Sequence, residues 1–229
     1  MVAVAAWCAC VGCDKSEIPA RAGAAEPRAH TASPDVPRDQ SPANVVRRLQ
    51  SLYQQRDYAR IAPLIVEDRR DATLQLLEAV DEVIDANAAL QMTAKNKYAA
   101  VPSETWNLAA MEDNLGPFSK HICIINQRFK GATAVVTLQG GDNIPLVHAA
   151  FELVGVEWQY RPERTPFCML TELRKLARIL RDVEESVVRG APLDSYFDAF
   201  LYRVLPQISR VATATDESSL AVAVGNETE

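Results

Sequence analysis

The spacing of apolar residues changes twice along this chain, and these changes constrain its fold more than any other feature of the sequence. From Ala43 to about residue 114, apolar residues recur every three or four positions, which is typical of amphipathic helices. Between His121 and Arg161 the period is two, as in strands that bury one face. After Pro166 the helical spacing returns. This order predicts an α+β fold in which helices precede and follow an antiparallel sheet.

The strand-forming stretch predicts a meander of about four strands. Lys130-Gly131 and Gly155 are turn residues between stretches of alternating polarity. In the third predicted strand, residues 146–154, Val147 and Phe151 share the apolar face. We therefore expect one face of the sheet to be buried.

The longest helical stretch before the sheet carries apolar residues from Leu76 to Leu90 on one stripe. Asp81 and Asp85 fall beside that stripe, on the side that we expect to be solvated. Residues 105–114 predict one more short helix.

Two amphipathic helices are predicted after the sheet. The first includes residues 173–187 and ends at Gly190, and the second includes residues 196–204 and ends before Pro206. Residues 212–229 are mostly polar and acidic, so we expect a disordered tail there.

The first residues of the chain predict export. Residues 1–12 carry no charge and are mostly apolar, a run too short to span a bilayer but typical of the core of a signal peptide. The segment Cys10-Val11-Gly12-Cys13 resembles the lipobox of bacterial lipoproteins. The resemblance implies that residues 1–12 are removed as a signal peptide and that Cys13 carries acyl chains such as palmitate. It also implies a protein held at a membrane on the periplasmic or outer side of the cell envelope.

The same cysteines allow two other interpretations. Cys8, Cys10 and Cys13 could ligate a metal, and Cys10 and Cys13 form a C-x-x-C pair. A structural zinc site needs four ligands, and no second C-x-x-C or H-x-x-x-H follows. Haem attachment requires His where this chain has Asp14. We therefore predict no metal and no cofactor.

Residues 13–42 predict a disordered tether, because they contain Pro19, Pro27, Pro34, Pro37 and Pro42 but no aromatic residue. The folded part then comprises an α+β domain over residues 43–162 and a helical extension over residues 163–211.

The stretch from Phe151 to Tyr160, with a Gly-x-x-Trp turn at Gly155 and Trp158, resembles the NTF2-like cone fold. The resemblance covers residues 43–162. It implies helices packed over the concave face of a curved sheet around a conical pocket, which in that family is catalytic, binds a small apolar ligand or is filled.

The net charge limits the class of partner, and the cysteine content limits the number of disulfides. The net charge of −6 and the isoelectric point near 5.2 argue against nucleic acid as a partner. Five cysteines are too few for a disulfide scaffold of this length. Cys123 and Cys168 could form one disulfide in an oxidising compartment, or remain isolated buried thiols.

Four aromatic residues are candidates for lining a ligand pocket, although ordinary core packing is the favoured interpretation: Trp106, Phe151, Trp158 and Tyr160. A general base could be His148 with Glu152 or Asp142. However, His148 and Glu152 are about 13 Å apart along a strand and on the face opposite the apolar one. We therefore name no catalytic residue.

These observations predict a lipid-anchored protein that binds a small apolar ligand or an envelope protein without catalysis. One alternative is an isomerase or dehydratase with an NTF2-like pocket. The other is an assembly role, in which the helices at 173–187 and 196–204 form a homodimer or docking surface.

Overall fold

The computed structural model describes residues 41–98, 115–140, 146–163 and 167–224, and these residues belong to one compact unit. The fold is α+β, with a four-stranded open antiparallel sheet and a larger helical part. The predicted fold class is confirmed at this level. The predicted helix at 105–114, the signal peptide, residues 13–40 of the predicted tether, Trp106 and Asp142 lie outside the described residues, whereas Pro42, the last tether residue, begins a helix.

Two short helices precede the longest one. Helix α1 (Pro42–Gln54) begins with Ser41, whose side chain accepts a hydrogen bond from the Asn44 backbone N–H at 3.3 Å. Helix α2 (Tyr58–Ile61) is capped in the same way by Asp57, which accepts from the Arg60 N–H at 3.1 Å. These caps satisfy N–H groups that a helix leaves unpaired at its start.

Helix α3 (Glu67–Lys97) has 31 residues, so it is long enough to contact more than one part of the fold. Its first turn carries Glu67 and Asp68, and its last turn carries Lys95 and Lys97. Charges in this order oppose the helix dipole at both ends and stabilise the helix.

The sheet consists of β1 (Cys123–Lys130), β2 (Thr133–Gln139), β3 (Val147–Val154) and β4 (Glu157–Tyr160), paired in that order. The predicted turns are confirmed, with Gly131 at φ 59° and Gly155 at φ 65°. Glycine adopts these left-handed conformations without the steric cost of a Cβ atom.

One face of the sheet is buried, as the alternating sequence predicts. The residues that share this face are Ala134, Val136, Leu138, Ala149, Phe151 and Trp158. They pack with α1, the segment from Ile61 to Ile65, Leu77 and Phe118, and we call this set the sheet core. Beyond β4, the Val66 N–H donates to the Tyr160 carbonyl at 3.0 Å, so part of that edge of the sheet is covered.

A second core, the helical core, forms where α4 (Phe167–Val188) packs against both α3 and the last helix. The predicted apolar stripe of α4 is confirmed, since its members are at most 1% exposed: Leu173, Leu176, Leu180, Val183 and Val187. That stripe is covered by helices of the same chain. The stripe is therefore buried within the chain, and the assembly role of these helices stays a prediction.

The last helix extends beyond the predicted end before Pro206. It comprises α5 (Leu193–Ala199), a π-helical turn (Phe200–Val204) and α6 (Leu205–Val224). In the π-turn the Leu205 N–H donates to the Phe200 carbonyl, five residues earlier. This wider turn directly precedes Pro206, the residue that lacks an N–H, and helical structure continues beyond the proline.

The same helix continues into the stretch where we expect a disordered tail, because α6 extends to Val224, and residues 225–229 lie outside the described residues. Val204, Val211 and Ala214 are buried, and Val204 and Val211 are part of the helical core. Burial of these small apolar residues stabilises helical structure beyond residue 212 despite the polar residues between them.

Candidate functional site

A cleft of about 510 Å³ lies where the sheet core meets the helical core. Leu77, Phe118 and Val147 contribute the wall on the side of the sheet core, and Leu76 and Met169 contribute the wall on the side of the helical core. This volume is within the range of small-molecule sites, and the walls are largely apolar.

Local backbone geometry sets one wall of the cleft. Gly116 opens the short 3-10 turn Gly116–Phe118 at φ 57°, a conformation that L residues rarely adopt. A Cβ atom at this position would be 3.9 Å from the Val147 Cγ1 atom. That distance is an ordinary van der Waals contact, so the positive φ, rather than a close approach to β3, is what favours glycine here.

Tyr160 is the predicted pocket residue that lines the cleft. Its ring lies between two aromatic neighbours, with centroids 5.7 Å from Phe118 and 5.6 Å from Phe151. Its hydroxyl hydrogen-bonds to none of the residues that the structure describes. Burial, and secondarily the charge of Glu163, raise the pKa of Tyr160 above its ordinary value of 10.0.

The charged residues at the cleft are Arg161 and Glu163. Arg161 is already engaged, because its Nη1 atom is 2.6 Å from Glu152 and its Nη2 atom is 3.6 Å from Asp68. Glu163 is exposed. Both charges thus belong to the rim of the cleft.

The histidine and glutamate predicted as a pair have different partners. His148 also lines the cleft, and its Nδ1 atom is 3.3 Å from the Thr137 Oγ1 atom. Glu152 pairs with Arg161 instead. Both lie on the sheet face opposite Phe151, as the alternation predicts. The two residues therefore do not form a pair, and Asp142, the other predicted partner of His148, lies outside the described residues.

The other predicted aromatic residues lie in the sheet core. Phe151 is 1% exposed and Trp158 is 2% exposed, and Trp158 stacks edge-on with Phe129 at 5.7 Å. Neither lines the cleft. For these two residues the structure shows core packing rather than pocket lining.

The cysteine prediction is corrected. Cys123 and Cys168 are both free and both exposed, so they are neither joined in a disulfide nor buried as isolated thiols. Cys123 begins β1 at the sheet edge, and Cys168 lies in the first turn of α4. The alternating polarity predicts that β1 is a strand, but it does not predict that Cys123, at the start of this edge strand, is exposed.

A polar network around Asp81 was not predicted. Asp81 is 7% exposed rather than solvated, and it accepts hydrogen bonds from the Tyr53 hydroxyl at 2.9 Å and from the Tyr58 hydroxyl. The Arg56 Nε atom is 3.3 Å from Asp81, and Arg56 also forms two hydrogen bonds to Asp85, at 2.7 and 2.6 Å. Helical spacing alone could not reveal this network, because its members come from separate elements.

These contacts change the ionisation of the groups involved. Hydrogen bonds from Arg56 lower the pKa of Asp85, while burial and the hydrogen bond to Asp81 raise the pKa of Tyr58. Through the buried carboxylate of Asp81, whose hydrogen bonds are described above, the network holds the turn that follows α1 against α3. We interpret it as a structural link between the elements of the two cores.

Within the described parts of the chain, no group of three or more His, Cys, Asp or Glu side chains could hold a metal ion. Across the same ranges, none of the helices combines the length and the apolar character needed to span a membrane.

Comparison of the chain with protein-family models, curated proteins and solved structures gives no match.

Proposed function

We propose that this chain is an exported protein, anchored to a membrane through acyl chains on Cys13, whose folded part binds a small and mainly apolar ligand without catalysis. The anchor is supported by the lipobox-like segment Cys10-Val11-Gly12-Cys13 and by the Pro-containing tether that follows it. Two or more acyl chains hold a protein stably at a membrane.

The observation that carries the binding role is the cleft between the two cores. Its walls expose Leu76, Leu115 and Met169 to a volume that a small molecule can fill. Ligand sites are typically concave and apolar, with a few polar groups that orient the ligand. We propose a non-catalytic role because two polar side chains at the cleft, Arg161 and His148, already have partners within the chain.

We also propose that α1 and the sheet correspond to an NTF2-like cone, with α4 and the last helix as an addition to it. This proposal is supported by the turn at Gly155, by Trp158 in the following strand, and by the packing of α1 against the buried face of the sheet.

Binding is tested by titrating the full chain with 1,6-diphenylhexatriene, a hydrocarbon whose fluorescence increases in an apolar site. Ala150 is exposed and lines the cleft, so Ala150→Trp should fill part of it without removing a buried side chain. Val156, in the turn after β3, is 74% exposed and outside the cleft, which makes Val156→Trp the matched control.

We expect saturable binding that Ala150→Trp weakens at least tenfold and that Val156→Trp leaves unchanged. Equal binding by the wild-type chain and both variants would place the probe elsewhere, and absence of saturable binding would refute the binding role.

The anchor is tested by the intact mass of the protein purified from membranes of its native host. We expect the mass of residues 13–229 plus acyl chains. A mass that retains residues 1–12 and lacks acyl chains would refute the anchor.

A further inference from the structure

The chemistry of the cleft narrows the class of ligand that it would hold, an inference that rests on the binding role proposed above. Its walls are mainly apolar, and Tyr160 is one of the lining residues, with a hydroxyl that has no hydrogen-bond partner among the described residues. A phenol hydroxyl both donates and accepts hydrogen bonds. A ligand that brings one complementary polar group into the cleft would satisfy this hydroxyl.

The charges around the cleft disfavour an anionic group at this position. Arg161, the cationic residue at the rim, is neutralised by Glu152 and Asp68, and Glu163 adds a further negative charge. A carboxylate that entered the cleft would lose its hydration and, among the described residues that line it, would meet no unpaired cation.

A cationic group is disfavoured for a related reason. Glu163, the acidic residue that lines the cleft, is exposed to solvent, so it offers only a screened counter-charge. Burial of an ammonium group against Leu77 and Phe118 would remain uncompensated.

We infer that the cleft selects an amphiphile with a single uncharged polar group, such as an alcohol or a ketone on an alkyl chain, and that the Tyr160 hydroxyl hydrogen-bonds to that group.

The test compares ligands of equal chain length on the full chain at pH 7. In separate titrations, 1-decanol, 2-decanone and decanoate are added to the complex with 1,6-diphenylhexatriene, and displacement of the probe is measured. Each ligand is kept below the concentration at which it forms micelles or droplets. We expect decanol and decanone to bind at least tenfold more tightly than decanoate.

The variant Tyr160→Phe distinguishes the contribution of the hydroxyl to binding from that of the aromatic ring. Phenylalanine retains the aromatic contacts with Phe118 and Phe151, so we expect the variant to bind diphenylhexatriene unchanged and decanol about fivefold more weakly. Tyr202→Phe, at a residue 77% exposed on the last helix, is the matched control and should change neither value.

Two results would overturn this inference while leaving the binding role intact: decanoate binding as tightly as decanol, or Tyr160→Phe binding decanol with wild-type affinity. If the wild-type chain binds neither diphenylhexatriene nor decanol, the binding role fails, and this inference fails with it.

Discussion

The two cores of this protein are assembled in different ways. The helical core consists mainly of aliphatic side chains from three helical segments, and Leu173, Leu176 and Leu180 are fully buried there. The sheet core joins residues as distant in sequence as Val46 and Trp158.

The sheet region contains buried polar atoms that have no hydrogen-bond partner among the described residues. In the sheet region the buried Trp158 Nε1 atom has no hydrogen-bond partner, and neither has the buried Ser119 Oγ atom. The cleft opens at the junction, where the adjacent residues Leu76 and Leu77 of α3 belong to different cores. The helical core is therefore closely packed, whereas a cleft remains at its junction with the sheet core.

The largest expected effect on the free energy of unfolding comes from a substitution in the helical core. Leu180→Ala should lower the free energy of unfolding by about 3 kcal/mol, because it leaves a cavity in a fully packed site. Denaturant titration measures this value. Leu201→Ala, at a residue 52% exposed, should cost less than about 0.5 kcal/mol.

The same variant tests whether the cores unfold together. Because α3 contributes to both cores, Leu180→Ala should also accelerate global amide exchange in β2 and β3. Faster exchange confined to α3, α4 and the last helix would show that the cores are independent.

The second effect concerns the link between the cores. Asp81→Ala removes the acceptor for Tyr53 and Tyr58, so we expect a loss of about 2 kcal/mol in the free energy of unfolding. Asp182→Ala, which removes an exposed ion pair with Arg203, is the control and should cost less than about 0.5 kcal/mol. Similar losses for the two variants would contradict the structural role of the network.

A smaller effect is expected at the cleft wall. Gly116→Ala and Gly155→Ala each place a Cβ atom on a left-handed residue and should each cost about 1 kcal/mol. Only Gly116 lines the cleft, so only Gly116→Ala should also change the affinity for diphenylhexatriene. A change in affinity with Gly155→Ala instead would place the site away from the junction.

The smallest effect is a pH dependence that comes from Asp85. Hydrogen bonds from Arg56 hold its folded-state pKa below the ordinary value of 3.8, so the unfolded chain takes up the proton first as the pH falls. The stabilisation is complete above about pH 5 and is lost as the pH falls through the folded-state pKa. Asp85→Asn should therefore flatten the acid side of a plot of urea midpoint against pH, and an unchanged slope would contradict this origin.

Local patterns in the sequence predicted the features that depend on neighbouring residues. The turns at Lys130-Gly131 and Gly155, the alternation in β3 and the stripe from Leu173 to Val187 all follow from spacing. These patterns also identified Tyr160 as a candidate pocket residue.

The remaining features depend on contacts between distant residues, which periodicity does not encode. Asp81 is buried because Tyr53 and Tyr58 reach it from other helices, and the last helix continues past Pro206 through a π-turn. The cleft likewise depends on the position of α4 against α3, so its wall at Met169 could not be predicted.

The central claim is that the junction between the two cores is a ligand site, and the methionine methyl groups of the full chain test it most directly. The chain has four methionines, of which Met169 lines the cleft and Met92 is 65% exposed and outside it. In a titration of methyl-labelled protein with 1-decanol, we predict a saturable shift of the Met169 signal and no shift of the Met92 signal. A Met169 signal that stays fixed while decanol binds would contradict the account.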